Sequence, residues 1–372
     1  MNRSEITTRQ FCLLVTLFTI GSSILFVPSQ LAEEAQQDSW LALGIGIIIN
    51  LLVVGLYLRL ASFYPDKTLY DLMEILMGKW AGRLAIALTF LFAYFVCVIS
   101  LVYYVGFFLG NQIFPDTPIF YLNGLFVITA VYALRLGLAT IARASEIYIL
   151  VFIFLFVLLT AALIPEMDAN QFKPALTTPF SSLLRGAISY NSFSTFPLFF
   201  FLTIYPIHVK NRRKAARNFI WGTLWGGLVL WLICTVAISV LGAKAAATYT
   251  FPGYVLAQRV NIGDFFTRIE ASIPTIWMIS LFIKLLIYFY ASLQALGKLT
   301  GVRQNSIYII PLALVAWALS VDLFTNSAHL MEWSRHTLPV ITFLFGVLLP
   351  FLLLVLALVR RRFQRGGDNE EA

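Results

Sequence analysis

The chain has 372 residues, of which 60% are hydrophobic and 12% charged, with a formal net charge of +8 and a mean hydropathy of +0.84. A soluble domain carries roughly 25% charged residues, so this chain has too little polar surface to cover a water-facing exterior. Its basic residues fall in short loops between apolar runs and build no continuous basic face, which excludes a nucleic-acid partner.

A hydrocarbon core of about 30 Å takes roughly twenty apolar residues per helix. In that window the chain reads as one membrane body, residues 1–372, with spans at 9–32, 39–61, 84–111, 117–135, 145–165, 186–207, 217–242, 268–295, 306–325 and 336–359. The expected fold class is therefore an all-α polytopic membrane protein of ten transmembrane helices, with the lipid bilayer as its main partner.

The first span carries Gly21-Ser22-Ser23-Ile24 near mid-membrane and Pro28 just beyond. Gly loosens a helix, Pro removes a donor, and hydroxyls offer substitute partners. This segment is expected to break. After the second span, Pro65-Asp66-Lys67-Thr68 starts a short amphipathic stretch to Lys79, with Leu69, Leu72, Met73 and Leu76 on one face, which suits the membrane interface. The third span holds Tyr94, Tyr103 and Tyr104. The sixth reads Ser189-Tyr190-Asn191-Ser192-Phe193-Ser194-Thr195-Phe196-Pro197, a second cluster of small and hydrogen-bonding residues followed by a proline. Gly222 and Gly226-Gly227 in the seventh span read as packing notches. The eighth carries Lys284 between Ile283 and Leu285, more than two turns from either interface. An ionisable group at that depth is costly and marks a functional site.

The Lys/Arg distribution sets the orientation. Even-numbered loops carry Arg59, Lys67, Lys79 and Arg83, then Arg135 and Arg143, then Lys210, Arg212, Arg213, Lys214 and Arg217, then Lys298 and Arg303. Arg360, Arg361, Arg362 and Arg365 close the last span. Odd-numbered loops are poor in basic residues except Lys173, Arg185, Lys244, Arg259 and Arg268 in the two longest. Both termini are expected to be cytoplasmic.

The two breaks lie five spans apart, so an odd helix count inverts one half relative to the other. Interrupted helices at corresponding places in inverted halves mark a transporter's central site. The candidate ligand-binding residues are accordingly Gly21, Ser22, Ser23 and Ile24 in the first break and Asn191, Ser192, Phe193, Ser194 and Thr195 in the second. The approximate halves are 9–165 and 186–325, with the tenth helix at 336–359.

The chain resembles the B subunit of bacterial spore germinant receptors, a branch of the amino acid–polyamine–organocation superfamily. The likeness rests on Ile6-Thr7-Thr8-Arg9-Gln10-Phe11 followed by Ile20 to Pro28, and on Arg268-Ile269-Glu270 leading into Trp277-Met278-Ile279 and Phe282 to Tyr290. Ser22-Ser23 stand where the superfamily has a second glycine, and Thr267-Arg268-Ile269-Glu270 where the family has an acidic–basic pair. The resemblance implies a leucine-transporter-like fold of 5+5 inverted repeats with spans one and six broken. It implies a ligand pocket that the third span also lines, which brings in Tyr103. In transporters of that fold a sodium ion lies between the first and eighth helices, and Lys284 is expected to stand in for that ion, or to couple protons, near the carbonyls of Ile20-Gly21-Ser22. The implied function is sensing of a small nutrient such as an amino acid, in the spore inner membrane, with an A-type subunit and a C-type lipoprotein as partners. A proton-coupled amino-acid permease, or a water or ion conduit, would use the same scaffold.

Enzyme chemistry finds no support. His208, His329 and His336 are scattered without metal-ligand spacing, Cys12, Cys97 and Cys234 sit singly in three apolar segments, and no P-loop occurs. No catalytic residue, metal or cofactor is expected.

Overall fold

Thr7 opens the first helix with a capping box: its side chain accepts from the Gln10 amide, and the Gln10 side chain accepts from the Thr7 amide. That exchange satisfies two of the end donors a helix leaves free. The computed structural model describes residues 5–205, 207–209, 211–259, 271–302 and 304–367, with the side chains of 259 and 362–367 outside that description. Lys210, Arg268, Glu270 and Arg303, and the side chains of Arg259, Arg362 and Arg365, therefore lie outside the described residues.

The described chain is almost wholly helical. In order the helices are α1 Thr8–Ile20, α2 Ser23–Ala35, α3 Ser39–Phe63, α4 Leu69–Met77, α5 Lys79–Leu91, α6 Ile99–Gln112, α7 Ile119–Leu136, α8 Leu138–Leu163 and α9 Phe180–Ser194. There follow α10 Arg212–Leu241, α11 Ala243–Thr248, α12 Pro252–Arg259, α13 Ser272–Thr300, α14 Ile309–Leu319, α15 Ser327–Glu332, α16 Leu338–Phe343 and α17 Leu349–Gly367. Seven helical runs, Ser23–Phe63, Lys79–Gln112, Ile119–Leu136, Leu138–Glu166, Arg212–Leu241, Ser272–Thr300 and Ser327–Arg361, are long and apolar enough to cross a bilayer. The expected ten spans thus do not appear as ten uninterrupted helices, for physical reasons. Unwinding shortens the N-terminal half of the first span to Thr8–Ile20, and its C-terminal half runs on into α3. The sixth is α9 followed by a tighter 3-10 stretch, Phe196–Thr203. The ninth spans only Asn305–Leu319.

Large apolar side chains on the outer faces are exposed, among them Leu52, Leu125, Phe154 and Val340, each 68% or more. A soluble surface rarely tolerates apolar patches on this scale, and a bilayer requires them. The chain is an integral membrane protein.

Inside that belt, α1 packs along α10, α13 and α8, while α2 and α3 pack against α9. Small residues allow the α1–α10 approach: a Cβ at Gly222 would stand 2.8 Å from the Cys12 carbonyl, and one at Gly226 would stand 2.6 Å from Thr19 Cβ. The notch reading of these glycines holds. Asp38, buried between α2 and α3, accepts three backbone amides from Leu176, Thr177 and Thr178, which fastens the loop before α9.

The amphipathic stretch forms a helix, α4, with Leu69, Tyr70, Leu72 and Met73 buried. Thr68 and Asp71 cap its start reciprocally, Lys298 from the end of α13 donates to Asp71 at 2.6 Å and pairs with Glu74 at 3.1 Å. Burial pushes the Asp71 carboxyl up, but the Lys298 and Thr68 hydrogen bonds outweigh it and hold it below the usual carboxylate range. A depressed carboxylate stabilises the fold above its unfolded value near 4 and loses that contribution as pH falls through its folded value. Asp71→Asn is therefore expected to cost about 1–2 kcal/mol at neutral pH, from the cap and a partly exposed pair. Thermal unfolding followed from pH 7 to pH 3 should show the gap between wild type and variant closing on acidification. Parallel curves would remove Asp71 as the clasp.

Two features escaped the sequence reading. The loop after α10 folds back as α11 and α12, and places Phe251 5.6 Å from Phe26 and 5.1 Å from Phe108. Three π-helical turns, Phe92–Val98, Trp333–Thr337 and Leu344–Leu348, interrupt the third and tenth spans. Such turns often mark functional positions.

Candidate functional site

Each interrupted helix gives up backbone partners at mid-depth, and bilayer interiors tolerate that only where protein or water supplies others. In the first break α1 ends at Ile20 and Gly21 turns the chain with φ 26° and ψ −122°. The Thr19 hydroxyl bonds the Val15 carbonyl, that of Ser23 bonds the Thr19 carbonyl, and Ser280 of α13 lies 3.4 Å from the Gly21 carbonyl. In the second break α9 ends at Ser194, whose hydroxyl bonds the Tyr190 carbonyl and lies 3.1 Å from Thr195 Oγ1.

Lys284, only 1% exposed, joins the two. Its Nζ donates to Ser22 Oγ at 3.2 Å in the first break and to the Phe193 carbonyl in the second. The same Nζ lies 5.1 Å from the Phe18 ring centroid and 6.0 Å from that of Tyr288, within cation–π range. Among the described residues no carboxylate lies within ion-pair distance of it. A buried ammonium loses several kcal/mol of hydration; here one carbonyl, one hydroxyl and two ring faces offset that loss. The carbonyl contact runs to Phe193 rather than to Ile20 or Gly21, so the lysine bridges the breaks instead of capping one.

Beside Lys284 lies a cavity of about 30 Å³ that touches Ser22, Ser192 and Phe193. A water needs roughly 10–15 Å³ of such space, so the cavity has room for one or two waters and none for an amino acid. The site is occluded in this conformation. Outside it, Gln30 accepts from the Ser189 hydroxyl and donates to Ser334 Oγ at 3.1 Å, which ties α2, α9 and the start of the tenth span together. Tyr57 lies 2.6 Å from the Gly346 carbonyl and 3.0 Å from that of Phe196, and so fastens the second break to the tenth span.

Of the residues singled out from sequence, Ser22, Ser192, Phe193 and Lys284 line this cavity. Gly21 touches the Lys284 stem, and a Cβ there would also stand 2.8 Å from the Phe18 carbonyl. Ser23, Ile24, Ser194 and Thr195 are buried beside the breaks but do not line the cavity. Asn191 turns away, donating to the Gly46 carbonyl at 3.1 Å and the Ala187 carbonyl at 2.8 Å. Tyr103 also points elsewhere, stacked on Phe107 and against Phe324. Its neighbour Tyr104 lines the cavity instead, 4.8 Å from the Phe26 ring. One residue is about 100° of helix rotation, so the two neighbours face different sides of the span. Cys97, Ser100, Leu338 and Thr342 also line the cavity. Mid-helix residues of this kind give no signal in a single sequence, because a helix that is apolar all round does not mark which face looks inward.

Two interrupted helices meeting at a buried lysine, within a lipid-facing helical bundle, define a membrane protein with a transporter-like fold. The fold is similar to that of Mhp1, a nucleobase-cation-symport-1 family transporter in a closed conformation with bromovinylhydantoin bound. The TM-score is 0.67 at 12% identity, over 91% of this chain and 78% of that one. The leucine-transporter type of fold is thereby established. The spore germination protein family matches residues 5–328, and the chain belongs to that family. Similar relatives include spore germination protein KB of Bacillus subtilis (strain 168), 26% identical over 100% of both chains. Spore germination protein YndE of the same organism is 26% identical over 97% of this chain and 99% of its own. Spore germination protein GerLB of Bacillus cereus is 25% identical over 98% and 97%.

Proposed function

We propose that this chain is the nutrient-sensing subunit of a spore germination receptor, binding a small nutrient such as an amino acid where the two broken helices meet. The observation that carries the reading is Lys284 bonded to both breaks at once. A ligand that enters between the breaks must rearrange those bonds, which couples its presence to the relative position of α1–α2 and α9. An occluded cavity of about 30 Å³ requires the bundle to open first, so binding acts by favouring one conformation over another. Both termini face the cytoplasm of the spore inner membrane in this reading, from the loop charges. An A-type subunit and a C-type lipoprotein receive the change, and the chain performs no covalent chemistry.

Reconstitution separates this from an autonomous permease. In liposomes holding the purified chain, labelled amino acids should bind without accumulating, and spores should respond only when the partner subunits are co-expressed. Uptake of label by the chain alone, driven by a proton gradient, would assign it to transport instead.

A further inference from the structure

We propose a second, outer binding site for a free zwitterionic amino acid, in the vestibule above the Gln30 layer. The proposal deepens the reading of the chain as an amino-acid binder and rests on it, but assigns a separate place. A cavity of about 160 Å³ opens there between α2, α9 and the first π turn of the tenth span. Its floor is the Gln30–Ser189–Ser334 hydrogen-bond layer. Its walls carry two acids, two guanidiniums and the imidazole of His336: Glu34 pairs with Arg185 at 2.8 Å, and Glu33 pairs with Arg335. Ile188 and Pro339 supply an apolar side.

The charge pattern selects the ligand class. Both pairs are partly exposed, with side-chain exposures of 59% and 35% for Arg185 and Glu34 and 32% and 42% for Arg335 and Glu33. Pairs of that exposure are worth little to the fold and open readily. A zwitterion can slip into the Glu33–Arg335 pair, placing its carboxylate on the guanidinium and its ammonium on the carboxylate. No charge is then left unmatched. A simple anion or cation would strand one member of the pair in a half-buried cavity, at greater cost. Arg335 Nε is buried and makes no hydrogen bond. Nη2, which Glu33 now holds, is therefore the prong that a ligand carboxylate would take over from Glu33. The apolar side and the modest volume suit a short aliphatic side chain.

Calorimetric titration of the full-length protein in detergent tests this, with glycine, L-alanine, L-serine and L-valine as probes. L-alaninamide, which lacks the carboxylate, and propionate, which lacks the ammonium, are the controls. Lys284→Met disables the central site, and at least one amino acid should still bind that variant saturably. Adding Arg335→Gln or Glu33→Gln to it should weaken that binding tenfold or more, Arg335→Lys should weaken it less, and neither control compound should bind. Thermal unfolding checks that each variant is folded, and Glu33→Gln carries the test if Arg335→Gln does not fold. Binding abolished by Lys284→Met alone would overturn the outer site and leave the central one standing. Binding indifferent to both outer substitutions would likewise overturn it, and no binding to the wild type would overturn both readings.

Discussion

Spores carrying Lys284→Met are expected to need at least a hundredfold more nutrient for the same response, while the protein keeps its thermal stability within a few degrees. The two halves of this expectation come from different terms. Exchanging the lysine for an apolar side chain of similar length removes the cost of burying the amine, several kcal/mol for its charged form. Against that, the Phe193 carbonyl and the Ser22 hydroxyl lose their donor, and a buried polar group left unpaired costs about 1–3 kcal/mol. The sum lies near zero. Function has no such compensation, because the Nζ is what bonds both breaks and methionine bonds neither. Immunoblotting for receptor level alongside a germination dose–response separates loss of protein from loss of signalling. A wild-type dose–response at normal protein level would show that Lys284 is a structural cation only.

The second large effect is on stability. Gly21 adopts φ 26° and ψ −122°, a backbone conformation that side-chain-bearing residues rarely adopt. A Cβ there would stand 2.8 Å from the Phe18 carbonyl and closer still to the Lys284 stem. Backbone strain of about 1–3 kcal/mol and overpacking of similar size put Gly21→Ala at roughly 3–5 kcal/mol. For a chain of this length that corresponds to roughly 4–6 °C in thermal unfolding. Shortening the opposing side chain tests the cause. Lys284→Ala removes the side-chain collision but not the strain or the Phe18 contact, so the double variant should recover part of the loss, with a coupling of about 1 kcal/mol or more. Gly44→Ala and Gly55→Ala, where nothing lies within 4 Å of the added carbon, should be nearly neutral. A Gly21→Ala protein that unfolds like the wild type would mean that the break does not need glycine.

Composition and hydropathy were enough to define an all-helical membrane protein, because apolar runs of spanning length have no soluble solution. The two interrupted helices were also legible, since glycine, hydroxyl residues and proline act locally on the backbone. Lys284 stood out because a charge flanked by Ile283 and Leu285 is conspicuous in one dimension. What faced the cavity was not legible. The resemblance brings in Tyr103, and the structure turns Tyr104 inward. The sequence reading placed Asn191 at the site, and tertiary packing gives its amide to the Gly46 carbonyl across to α3. Tertiary structure alone decided that Lys284 reaches the second break, that α16 closes over the cavity through Leu338 and Thr342, and that Glu33 and Arg335, 302 positions apart in the sequence numbering, meet in one vestibule. The physical reason is common to all three. Burial and charge act along the chain and can be read there, whereas the direction of a side chain depends on the accumulated rotation of its helix and on which neighbour holds it.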